Sequence, residues 1–196
     1  MQMLKIAVGF VLAVSMSSAL AIPFSYDSHD VPENIPEDPS VTSGNTYSYL
    51  MSISAVGQIT DLNVYLDIDH TYTADLDIFI SHVLTGTTVQ LFDQHGGSGN
   101  DIIDVTFDDE AATSIASASA PFGPGSFQGV ESLSAFDGLS LGGVWELTIV
   151  DNYTADTGIL WNWGIRGDAT DVPEPGSLAL IGLGLVGLGL SRRKRV

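Results

Sequence analysis

The fold class that this sequence predicts is an all-β, antiparallel sandwich, and three observations predict it. Apolar residues recur at every second position in several short runs, turn residues separate those runs, and no long segment keeps a helical period. Short strands at such spacing pack as two facing sheets.

Leu62, Val64, Leu66 and Ile68 alternate with Asn63, Tyr65, Asp67 and Asp69, the period-2 signature of a strand with one buried face. The period returns at Leu76, Ile78 and Ile80, at Val89 and Leu91, and at Trp145, Leu147 and Ile149. Turn signals fall between: Thr85-Gly86, the Gly-rich stretch from His95 to Asn100, Gly123-Pro124-Gly125 and Leu141-Gly142-Gly143. The Ala-rich stretch from Asp108 to Ala120 has room for a helical turn, which its Ser and Thr content weakens. Residues 22–45 carry Pro23, Pro32, Pro36 and Pro39 among acids and show no apolar period. They predict an acidic, extended lead-in to a sandwich over residues 46–168.

Both ends are address labels. Lys5 precedes an apolar stretch from Ile6 to Val14, and Ser18-Ala19-Leu20-Ala21 supplies small residues, which predicts a signal peptide over residues 1–21 cleaved after Ala21. At the other end Pro173, Glu174 and Pro175 precede an uncharged run from Leu178 to Leu190 and the cluster Arg192-Arg193-Lys194-Arg195. This run is shorter than the roughly 20 residues that span a bilayer comfortably, so it holds a membrane only transiently or weakly. The basic cluster should stay on the cytoplasmic side. Residues 172–196 resemble a PEP-CTERM sorting tail, which implies export by a Gram-negative bacterium and handling by exosortase-type machinery, with removal near the Pro-Glu-Pro motif. An ordinary C-terminal anchor is the alternative.

Charge constrains partners. Of the 24 acidic residues 23 lie in residues 22–171, whereas Arg166 is the one basic residue there, leaving a net charge of −22. Such a surface repels nucleic acid and anionic membranes, and it opposes its own folding unless cations offset the repulsion. The chain has no cysteine, so disulfides and thiolate metal sites are excluded.

The block from about Ile59 to Ile165 resembles the P domain (homo B domain) of proprotein convertases. The resemblance rests on His70-Thr71-Tyr72 before Asp75-Leu76, on Thr85-Gly86-Thr87, and on Asp108-Asp109-Glu110-Ala111. It continues through Leu133-Ser134, Phe136 and Gly138, then Gly143-Val144-Trp145-Glu146-Leu147, Asp151, Asp156-Thr157-Gly158 and Trp163. It implies a jelly-roll sandwich of galactose-binding-like type and calcium-supported stability. It also implies an accessory role beside a subtilisin-like serine endopeptidase. The few dozen residues between leader and first strand are too few for a protease domain, and neither His-Gly-Thr-His nor Gly-Thr-Ser-Met-Ala occurs. His29, His70, His82 and His95 are present, but a triad also needs an activated serine and an orienting carboxylate in fixed geometry. Asp156-Thr157-Gly158 matches the aspartic-protease tripeptide, which needs a second such carboxylate; as a turn between two strands it has a simpler reading.

Carboxylates carry the more plausible chemistry, because calcium takes six to eight oxygens from Asp, Glu, carbonyls and water. The candidate ligands are Asp101, Asp104, Asp108, Asp109 and Glu110, with a solvated acidic loop as the competing reading. A second group, Asp67, Asp69, Asp75 and Asp77 around His70, would crowd together if its two strands paired, although a solvated sheet face is simpler. Trp161 and Trp163, two apart on one strand, should share a face, with Tyr153 in the preceding turn, which suggests stacking on a sugar. The resemblance implies instead that Trp145 and Trp163 are core residues, which leaves Trp161 to carry that idea. The expectation is an exported, non-catalytic, calcium-binding sandwich of the envelope or extracellular matrix, with a structural or adhesive role. An exopolysaccharide or matrix protein is the expected partner. The alternatives are a carbohydrate-binding module and an accessory or remnant domain of a serine endopeptidase.

Overall fold

The structure, a computed structural model, describes residues 20–35 and 45–170. The signal peptide, except its last two residues, and the C-terminal tail lie outside the described residues.

Ten strands form two sheets among these residues. They are β1 (Ala21–Asp27), β2 (Glu33–Ile35), β3 (Asn45–Ile53), β4 (Gln58–His70), β5 (Leu76–His82), β6 (Thr87–Asp93), β7 (Ile102–Phe107), β8 (Gly125–Phe127), β9 (Gly143–Asp151) and β10 (Gly158–Thr170). One sheet runs β1-β10-β4-β7-β8, with β2 also on β10; the other runs β3-β9-β5-β6. All pairings between strands are antiparallel except β7 with β8.

The alternation read in the sequence sets the core. Leu62, Val64, Leu66 and Ile68 of β4 join Leu76, Ile78 and Ile80 of β5 and Trp145, Leu147 and Ile149 of β9 in one buried cluster. Each such side chain contributes about 1.5–3 kcal/mol by leaving water. The helical turn expected between Asp108 and Ala120 is a short 3-10 turn, Ile115–Ser117, capped by the Ser114 side chain.

Three expectations are corrected. Residues 22–45 include sheet: Ile22 to Asp27 pair with Ala169 to Gly164, and Glu33 to Ile35 pair with Leu160 to Gly158. The β10 backbone recruits these segments although they lack an apolar period. Secondly, β4 and β5 lie in different sheets, so Asp67 and Asp69 are not brought beside Asp75 and Asp77 by pairing. Thirdly, a bulge in β10 between Leu160 and Asn162 breaks the alternation, so Trp163 is buried while Trp161 is 43% exposed. Trp161 Nε1 donates to Asp69 across the sheet at 2.8 Å.

Candidate functional site

The five proposed metal ligands are distributed to three places by β7, which holds its two ends apart. Asp101, just before β7, accepts from the His70 backbone N–H at 3.0 Å. Asp104 sits in a bulge of the β4–β7 ladder with φ of 48° and accepts from Tyr65 OH at 2.5 Å. That contact and burial push the Tyr65 phenol upward, with burial the larger cause. Only Asp108, Asp109 and Glu110 stay together.

Those three line a cleft of about 410 Å³ with Asp61, Asp137 and Asp168. Register explains the meeting: Asp61 of β4 stands directly opposite Asp168 of β10. Like charges at such a position destabilise a sheet. Asp109 is already occupied, accepting from Leu133 N (3.0 Å), Ser134 N (2.9 Å) and Ser132 Oγ (2.5 Å), which pins the 3-10 turn Leu133–Phe136. Asp108 accepts from the Glu110 N–H at 2.8 Å.

The remaining carboxyls meet one another. The Asp108 carboxyl, followed by burial and Asp61, raises the Glu110 carboxyl above its ordinary range. Burial first, then Asp108 and Asp168, does the same to Asp61, and burial with Asp109 does so to Asp137. Among the described residues no basic side chain lines this cleft. Arg166 instead lies 3.2 Å from Asp27 and 4.5 Å over the Tyr65 ring. The cleft is rich in oxygen donors, yet among the described residues no three His, Asp or Glu side chains already converge as a metal site.

The raised carboxyls set a pH dependence. A carboxyl whose folded value is raised binds its proton in the folded chain while the unfolded chain is still ionised, so stability rises as pH falls through that interval. The melting temperature at constant ionic strength should therefore climb from neutral pH toward the ordinary Asp value of 3.8. A flat or falling melting temperature over that range would refute the unrelieved repulsion.

A second polar group lies between the sheets. His70 Nε2 is 3.5 Å from Asp151 Oδ2, and neither side chain is exposed to solvent. His70 Nδ1 bonds to Tyr72, accepting from its N–H at 3.2 Å or donating to its carbonyl at 2.9 Å according to the tautomer. Gly158 permits this packing, since a Cβ there would come within 2.5 Å of the Asp69 carbonyl and 2.6 Å of the His70 ring. Glycine in Asp156-Thr157-Gly158 is thus a close-approach residue, and Asp156 accepts from Thr71 Oγ1 at 2.7 Å. Among the described residues the hydroxyl bonded to a histidine ring is Thr85 on His82, a ring with no solvent exposure. No serine is placed as a histidine-activated nucleophile there. Sequence reasoning missed the Asp61–Asp168 pairing and the Asp151 partner of His70, both of which depend on strand register.

Residues 59–167 match the family model described as the proprotein convertase P-domain. Residues 171–194 match the PEP-CTERM protein-sorting motif, which indicates export and sorting to the cell envelope and implies recognition by exosortase-type machinery. Among the described residues no helix is long and apolar enough to cross a membrane. No curated protein matches the chain. Among solved structures, the serine protease of Aeromonas sobria is similar, with 16% identity, a TM-score of 0.39, and coverage of 76% of this chain and 28% of that one. The complex of that protease with its chaperone ORF2 gives 16% identity, a TM-score of 0.40, and coverage of 76% and 27%. The chain spans little more than a quarter of the length of these structures.

Proposed function

Because the chain belongs to the proprotein convertase P-domain family, whose model matches more than half of it, we propose that it acts as a non-catalytic β-sandwich of the cell envelope or extracellular matrix. In this reading it is structural or adhesive, and calcium bound in the acidic cleft supports its stability and bridges it to matrix polymers. The observation that carries the reading is the cleft itself. Burial and the Asp108 carboxyl raise Asp61, and the Asp108 carboxyl, burial and Asp61 raise Glu110, with no basic side chain among the described residues lining the cleft to relieve them. A divalent cation relieves that repulsion, and a wet, open cleft can supply water for the rest of a calcium shell. Asp101 and Asp104 fall outside the proposal. The PEP-CTERM tail, beyond Thr170, anchors the protein transiently before exosortase-type processing near Pro173.

Thermal melting in 10 mM calcium and in EDTA tests this. With a Kd of about 1 mM, typical of weak extracellular sites, mass action adds about 1.4 kcal/mol, a shift of a few degrees. Asp61→Asn and Asp108→Asn should each raise the melting temperature in EDTA and shrink the calcium shift. A wild-type melting temperature indifferent to calcium, or a shift undiminished in both variants, would refute the cleft as the site.

A further inference from the structure

Asp75 shows a combination that the acidic cleft lacks. Its side chain belongs to a residue only 5% exposed, yet it lines a separate cleft of about 510 Å³. Among the described residues no N–H or O–H group of the protein is bonded to its carboxyl. A second carboxyl, Asp156, lines the same cleft, and burial with Asp151 and Asp156 raises Asp75 while His70 lowers it. Asn152 and Gln94 direct their amides to Asp77 instead, at 2.7 and 3.1 Å. A buried carboxyl facing its own kind needs a positive partner. Tyr72 and Tyr153 line the same cleft, and Tyr153 is 59% exposed.

The combination selects among cations. Calcium needs six to eight oxygens, and tyrosine rings supply none of that shell. An organic ammonium gains from both components: carboxylates accept its N–H donors, and aromatic rings attract its charge. The chain cannot fill the cleft with a lysine of its own folded body, because Arg166 is the one basic residue in residues 22–171 and it is engaged by Asp27 and Tyr65.

We propose that the cleft formed by Asp75, Asp156, Tyr72 and Tyr153 binds a protonated primary amine, carried on an amino sugar or on a polyamine. The two carboxyls hold the ammonium, the tyrosines flank it, and Gln94 and Thr154 reach the groups beside it. The site is separate from the acidic cleft and does not depend on calcium there.

Isothermal calorimetry of the full exported chain in 150 mM NaCl tests this with three probes: a β-1,4-linked glucosamine hexamer, its fully N-acetylated counterpart, and spermidine. Salt at that level screens loose pairing with the acidic surface. The hexamer or spermidine should bind and the N-acetylated hexamer should not; which amine binds identifies the source. Asp156→Asn, which keeps an acceptor for Thr71, should weaken binding at least tenfold. Tyr153→Ala, at an exposed position, should weaken it about two- to fivefold, and Asp108→Asn should leave it unchanged. Equal binding of the N-acetylated hexamer, failure of both amines to bind, or binding unaltered in both Asp156→Asn and Tyr153→Ala would overturn the proposal.

Discussion

Replacing His70 or Asp151 with alanine should each destabilise the protein by about 3–5 kcal/mol, because either change leaves a buried polar partner uncompensated. The two side chains meet at 3.5 Å with no solvent exposure. They tie the end of β4 in one sheet to the end of β9 in the other. His70 also holds the turn after β4 through Tyr72, and Asp151 accepts from the Tyr153 N–H at 3.3 Å. Each loss therefore loosens a connection as well as a pair. The double variant should cost less than the sum of the two, since neither group is then left facing an empty partner. Urea unfolding midpoints of the three variants measure this. Single-variant losses below about 1 kcal/mol would show that the contact is incidental to stability.

The second large effect belongs to Trp145. Its residue is fully buried on β9, its ring lies 5.1 Å from Phe136 and 4.8 Å from His82, and its Nε1 donates to the Leu141 carbonyl at 3.0 Å. Trp145→Ala removes the largest class of core side chain and should cost about 3–5 kcal/mol. Trp145→Phe keeps most of the volume but strands the Leu141 carbonyl, which should cost about 1–3 kcal/mol. Guanidinium unfolding followed by far-UV circular dichroism separates the two. Equal losses would mean that volume contributes little and that the hydrogen bond carries the effect.

Much of the sandwich was legible because its central strands have one wet and one dry face. Leu62 to Ile68 and Trp145 to Ile149 show that difference as simple alternation, and the structure buries those residues. Strand β1 was not legible: most of its side chains stay at least partly exposed, and its place is set by β10 backbone pairing, which leaves no periodic trace. The shared face expected of Trp161 and Trp163 was misread for a related reason, since one extra residue in β10 reverses the face that counting by two predicts.

The acidic cleft was half legible. Asp108, Asp109 and Glu110 are consecutive, so their repulsion is visible in the sequence, whereas Asp61 and Asp168 meet only through the β4–β10 register. Asp101 and Asp104 looked like further ligands because they are near in sequence. The span of β7 and the bulge at Asp104 send them to His70 and Tyr65. The buried His70–Asp151 contact was likewise invisible, although both residues belong to the motifs that resemble a P domain.

Equilibrium dialysis of calcium against the wild-type chain and an Asp61→Asn/Asp108→Asn variant at pH 7 tests the central claim most directly. The account predicts saturable uptake by the wild type with a Kd of about 10⁻⁴ to 10⁻³ M, and uptake at least tenfold weaker in the variant. No saturable uptake by the wild type, or equal uptake by both, would contradict it.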